Sequence, residues 1–388
     1  MNRLAVYLLT LGAFVTGVAE LIVIGILPVI ADDLHISIAL AGQIITAFSL
    51  SFAIGTPIIV TLTSRVRRKH LLIGALAMFI LGSLASYAST SFAALMASRI
   101  MLGLSGGVYT VVAFSSVAKL VSPEKTGRAI GMVAMGFSAA LVLGAPIGVT
   151  VAKWWSWQTI FAALGVITFL LLLGTIRLLP QIAGDAPVPF RKQFHVLGSS
   201  VIVSGLGLSL LFTSSSSMMN TYLAPYLQQI LHMNASYTGL TMFALGIAGV
   251  LGTRAGGTLA DAWGSSKVIS FGLTVLAVSL FLLPLLSSYL VAGVGLLLIW
   301  MFAMSLIIPA IQMYFIQQAP ESSNLVLGLN TSVLHLGVAV GAGLGGIVVD
   351  ATSTVLYNPW IASLTVAVGL AIAAVSFSRS RRKVAGTV

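Results

Sequence analysis

The sequence predicts an all-α integral membrane protein of twelve transmembrane helices, arranged as two pseudo-symmetric six-helix bundles with both termini cytoplasmic. Three observations carry this. The 388 residues are 58% hydrophobic and only 7% charged, which no soluble domain of this length matches. Apolar runs recur along the whole chain, each near the ~20 residues that cross ~30 Å of hydrocarbon. The halves also repeat: Ile54-Gly55-Thr56-Pro57 through Thr61-Leu62 aligns without gaps to Leu251-Gly252-Thr253-Arg254 through Thr258-Leu259. Duplicated six-helix units are a common plan of secondary transporters, with the substrate site near the midplane between them.

The spans fall at roughly 5–30, 39–63, 71–89, 92–118, 128–152, 157–178, 198–228, 237–260, 267–286, 289–316, 325–349 and 356–378, by apolar length. The organisation is therefore an N-terminal bundle over 1–179, a cytoplasmic linker over 180–195 with Pro180, Pro187, Pro189, Arg191 and Lys192, and a C-terminal bundle with a short basic tail over 196–388. The net charge of +11 is a topology signal and not a nucleic-acid patch. Basic residues gather between spans on one side, at 65–69, 119–128, 177–192 and 379–383, while Lys153 stands alone on the other. That asymmetry marks the cytoplasmic side. The first span is too long for a signal-peptide core and is read as part of the mature protein.

The first span holds Glu20. Of the eight acidic residues it alone lies deep in a span; Asp32, Asp33, Glu124, Asp185, Asp261, Glu321 and Asp350 fall in loops or at helix ends. A carboxyl group at that depth costs roughly 2.5–3.5 kcal/mol on insertion scales, and a reversible proton is the natural reason to keep one. In the fourth span, Arg99 lies about 8 residues, hence ~12 Å, inside the outer end. It is read either as a partner of Glu20 or as an arginine snorkelling to the interface. A nearby cation favours the ionised carboxylate and burial disfavours it, so such a site can load and release a proton. A static ion pair fastening two helices is the plainer alternative.

In the C-terminal half the seventh span carries Thr213 and a run of serines at 214–217, then Met218, Met219, Asn220, Tyr222 and Tyr226. The tenth carries Trp300, Met301, Met304, Ser305 and Gln312, and the eleventh Asn330 and His335. Hydroxyl, amide and aromatic groups suit a flat, uncharged, hydrogen-bonding ligand, and methionine and aromatics also suit lipophilic molecules. Helix packing is the alternative for each. The serine run is also a candidate flexible point of a gate, since hydroxyls satisfy loosened backbone groups. His335 is read as an interior hydrogen-bonding histidine or a second proton site.

Other classes are excluded by what is missing. No cysteine is present, which removes disulfides, thiolate metal sites and cysteine catalysis. There is no phosphate-loop signature. His35, His70, His195, His232 and His335 are scattered, so no metal or catalytic cluster of a membrane enzyme is expected, and no cofactor.

Four segments resemble the major facilitator superfamily. Gly257-Thr258-Leu259-Ala260-Asp261 through Lys267, with Val60 through Lys69 as the earlier copy, is similar to the family's cytoplasmic loop signature. The first copy, with Arg65, lacks the glycine and aspartate; the second, with Asp261, lacks the arginine. The resemblance implies a latch that pins helices in one conformation. Arg99-Ile100-Met101-Leu102-Gly103 with Gly106-Gly107 resembles the second signature, whose buried arginine is implicated in proton coupling. Gly136 with Gly144-Ala145-Pro146-Ile147-Gly148 resembles the antiporter signature of efflux members, although a packing seam of small residues would look similar. Glu20 through Pro28 with Ala31-Asp32-Asp33-Leu34, and Asn330 through Gly337, resemble the bacterial twelve-helix drug:proton antiporter branch, near its purine-efflux and sugar-efflux-like members. The resemblance implies a monomeric exporter in a bacterial cytoplasmic membrane. It would exchange protons for a small organic molecule, with Glu20 and Arg99 coupling the proton. Arg65, Asp261, Gly144, Pro146 and Gly148 would serve conformational change. Sugar or metabolite export, or proton-coupled uptake, are the alternatives.

Overall fold

The computed structural model describes residues 3–122, 125–184 and 195–385. Glu124 and the linker residues Asp185, Pro187, Pro189, Arg191 and Lys192 lie outside the described residues, as do the side chains of Glu321, Arg379, Arg381, Arg382 and Lys383. Among the described residues every regular element is a helix. Twelve are long: α1 Arg3–Asp33, α2 Ile38–Leu62, α3 Arg68–Tyr87, α4 Phe92–Lys119, α5 Thr126–Trp154, α6 Trp157–Leu178, α7 Ser200–Thr221, α8 Ala235–Trp263, α9 Ser265–Leu285, α10 Leu290–Gln318, α11 Ser323–Thr352 and α12 Asn358–Ala385. A thirteenth, Leu223–Pro225, leads into a π-turn, Tyr226–Ile230. Among the described residues, eleven helices are long and apolar enough to cross a membrane; the apolar part of α12, Asn358–Ala374, is shorter.

The chain forms two compact units, Met1–Val188 with Ala235–Met242, and Pro189–Asn234 with Phe243–Val388. In the first unit α1 packs on α5 and α6, α4 on α2 and α3, and α3 on α6. In the second, α7 packs on α11 and α12, and α9 on α10 and α12. Gly252 and Gly256 bring α8 against the Phe302 and Leu306 carbonyls of α10. Each pairing of the second unit repeats one of the first, six helices on. The duplication extends beyond the alignment of Gly55 with Gly252. His35, after α1, and His232, after the π-turn, both take left-handed backbone, φ 51° and 53°, and stand as far apart in sequence as those two glycines. At His35 the ending is closed by Ile36 N–H donating to the Ala31 carbonyl and His35 N–H to that of Asp32, both orphan acceptors of the last turn.

Candidate functional site: a buried charge pair and a neutral polar set

The first unit holds the charged site. Arg99 on α4 is fully buried. Its Nη1 donates to the Ala19 carbonyl of α1 at 2.9 Å, and its guanidinium lies over the Phe48 ring of α2, 4.6 Å from the centroid. This geometry excludes snorkelling to the interface. It follows from the local sequence. Gly103, one turn beyond Arg99, has no side chain, and a Cβ there would collide with the Phe48 carbonyl. The glycine thus lets α2 approach until Phe48 sits beneath the cation. Gly106 also faces this site, and a Cβ there would make ordinary contacts with Thr16 of α1 and the Phe48 ring. Glu20, next to the carbonyl that Arg99 grips and one turn beyond Thr16, is half-buried and close enough for its charge to interact with that of Arg99. Arg99 Nε and Nη2 have no hydrogen-bond partner among the described residues.

The glycines of the fifth helix pack on the same stretch of α1. A Cβ at Gly136 would collide with the Thr10 carbonyl. At Gly144 it would lie 3.3 Å from Leu21 Cβ, and at Gly148 2.6 Å from Ile22 Cγ1. Leu21 and Ile22 directly follow Glu20. From the other side, Gly25 leaves room for the Ala145 carbonyl. Pro146 sits in an unbroken α5, with the Thr150 hydroxyl donating to its carbonyl at 2.8 Å.

Arg65 is exposed in the turn between α2 and α3, and Asp261 is exposed in the last turn of α8. The buried cation of the first loop is Arg68, at 3% exposure. Around it the chain after α6 folds back. Arg68 N–H donates to the Ile182 carbonyl at 3.0 Å, Lys69 Nζ to Ile176 at 2.8 Å and Lys119 Nζ to Ala183 at 3.1 Å. Residues 180–184, which the sequence reads as the start of a cytoplasmic linker, dock here; Ile182, with Leu179 at the end of the first bundle, belongs to the apolar core of the first unit. In the second unit the corresponding loop is tied by Ser265 Oγ donating to Gln317 Oε1 at 2.8 Å.

The neutral set of the second unit divides in two. The serine run is not a break, because α7 is helical throughout. Ser215 Oγ donates to the Ala362 carbonyl of α12 and Ser217 Oγ to Val338 of α11, both at 2.8 Å. The Tyr222 hydroxyl donates to the Ala342 carbonyl at 3.0 Å. These groups are spent on packing. By contrast Tyr226 OH, Trp300 Nε1 and Asn330 Oδ1 are buried with no partner among the described residues, as is Ser305 Oγ. Met304 is buried, Asn220 and His335 are half-buried and Gln312 is exposed. Among the described residues no group of three or more His, Asp or Glu side chains could hold a metal ion.

The sequence profile of the Major Facilitator Superfamily matches residues 9–322 and, again, 205–387. The chain belongs to the major facilitator superfamily. Among relatives, the MFS-type transporter YbcL of Bacillus subtilis is 32% identical over 369 residues, covering 95% of this chain and 94% of its own. The inner membrane transport protein YdhP of Escherichia coli K12 is 28% identical over 377 residues, covering 96% and 95%. Among solved structures, a D-xylose-proton symporter superposes with TM-score 0.81 at 15% identity, over 96% of this chain and 97% of that one. A bacterial homologue of the human lysosomal transporter Spinster does so with TM-score 0.83 at 15% identity, over 96% of both; these two likenesses show the fold. The protein is a multi-pass membrane transporter and not an enzyme, consistent with a bacterial cytoplasmic membrane.

Proposed function

We propose that this transporter is a proton-coupled antiporter that exports a small organic molecule by alternating access, with Glu20 as the proton carrier. In this reading it acts as a monomer with twelve spans, both termini in the cytoplasm, and a linker over 180–195 between two bundles. The observation that carries it is the buried Arg99 beside Glu20. Arg99, held by the Ala19 carbonyl and the Phe48 ring, is a fixed counter-charge near the carboxyl group, and such a cation tunes its proton. The glycines Gly144 and Gly148, with Pro146, seat α5 on the two residues after Glu20 and so couple a change at the carboxyl to helix packing. Arg65 and Asp261 act in the latch that this change releases. Ligand selection falls to the second unit, to Asn220, Tyr226, Trp300, Met304, Gln312, Asn330 and His335. Unpaired neutral donors and acceptors among aromatics favour an uncharged, flat ligand, with purine bases and nucleosides ahead of lipophilic drugs.

The test is proteoliposomes of defined orientation, loaded with purine bases, nucleosides, sugars and lipophilic cations, with and without a proton gradient. Export of one class driven by inward proton flow supports the reading. Proton-driven flow in the same direction as the proton would make the protein a symporter and overturn it.

A further inference from the structure

We propose that the groove between α2 and α3 seats one acyl chain of an anionic phospholipid, whose headgroup Arg67 and His70 hold at its mouth. The groove has a volume of about 190 Å³ and is walled by Ile59 of α2, by His70, Gly74 and Met78 of α3, and by Leu104 and Val108 of α4. Ser105 also lines it, but its hydroxyl is spent on the Met101 carbonyl at 2.7 Å. That leaves His70 as the polar group of the wall. A hydrogen-bonding solute would find nothing deeper to bind, and the volume is below the ~300 Å³ at which pockets for drug-sized molecules begin. A hydrocarbon chain needs no polar partner, and the slot takes one segment of it while the rest stays in the bilayer. Gly74 makes the room: a Cβ there would meet no atom within 4 Å.

The surroundings select the headgroup. Arg67 is the residue at which α3 begins, and it is exposed, as are Arg65 and His70. No Asp or Glu occurs anywhere in α2, α3 or α4. The start of α3 has no side-chain cap, so its positive end adds to the same field. Basic groups at a membrane surface attract anionic lipid; here His70 lines the apolar slot and Arg67 lies one helical turn before it. The two helices that flank the slot also expose apolar side chains, Ile58 and Leu62 on α2 and Leu81 and Leu84 on α3. An acyl chain that enters from the bilayer therefore stays in hydrocarbon while its phosphate meets the cations.

The test is native mass spectrometry of the purified full chain with phosphatidylglycerol or phosphatidylcholine of identical acyl chains. One tightly held phosphatidylglycerol, and no tightly held phosphatidylcholine, is expected. Gly74→Leu fills the slot and abolishes that retention. Arg67→Gln lowers the preference for phosphatidylglycerol roughly fivefold, the effect of one surface cation on an anionic lipid. Equal retention of the two lipids, or full retention by Gly74→Leu, overturns the proposal. If Gly74→Leu does not fold, Arg67→Gln combined with His70→Gln decides it, since an unchanged lipid preference in that variant has the same consequence.

Discussion

The two units use one plan of helix contacts and fill it with opposite chemistry. The α1–α5 seam is glycine against aliphatic side chains and carbonyls, and the same unit buries Arg99 and half-buries Glu20. The α7–α11 seam also rests on glycines, with Gly337 against Thr213, Gly341 against the Ser214 carbonyl and Gly345 against Tyr222. It adds cross-helix hydrogen bonds from Ser217 and Tyr222 and needs no charge. Close packing of lipid-embedded helices requires small residues and hydroxyls only. The α7–α11 seam is therefore built without ionised groups, so close packing alone does not call for Glu20 and Arg99. A pair kept at the cost of burying charge is most simply explained by work done on a proton.

The largest expected effect breaks the charged unit. Glu20→Gln keeps shape and hydrogen bonding but cannot titrate, so gradient-driven accumulation in proteoliposomes disappears while the melting temperature stays near the parent value. Retained accumulation would remove Glu20 from the mechanism. Next comes the seam of the second unit. Gly341→Ala drives a methyl group into the Ser214 carbonyl and lowers stability by roughly 1–3 kcal/mol. Gly144→Ala, whose new Cβ lies 3.3 Å from a side-chain carbon, costs less than that, and denaturation of both variants in one detergent compares them. Trp300→Phe and Asn330→Leu, at the unpaired polar atoms, weaken substrate affinity by roughly 1–3 kcal/mol, measured by transport KM. Smallest is Tyr222→Phe, which loses one hydrogen bond to α11 worth about 0.6 kcal/mol. It lowers the melting temperature slightly and leaves KM unchanged, which separates the packing residues of that unit from the ligand residues.

The helices and their duplication were legible because apolar length and glycine spacing are local signals. Glu20 and Arg99 stood out because ionisable groups within apolar runs are rare. Phe48 did not, since an aromatic residue in an apolar helix carries no mark of the cation above it. Tyr222 and Tyr226 look alike in sequence, yet one hydroxyl is bonded to α11, more than a hundred residues away, and the other has no partner among the described residues. Arg68 was read with its neighbours as a topology signal; its burial depends on residues 179–184 folding back, which pattern alone does not encode.

The central claim is that proton chemistry resides in the first unit and ligand selection in the second. Transport measured against pH for Arg99→Lys and for Trp300→Phe tests it most directly. Lysine lacks the planar fork that reaches Ala19 and Phe48, which changes the electrostatics around Glu20. The account predicts that the pH midpoint of transport moves in Arg99→Lys, while Trp300→Phe changes KM and keeps the parent midpoint. Equal shifts in both variants, or none in Arg99→Lys, would contradict it.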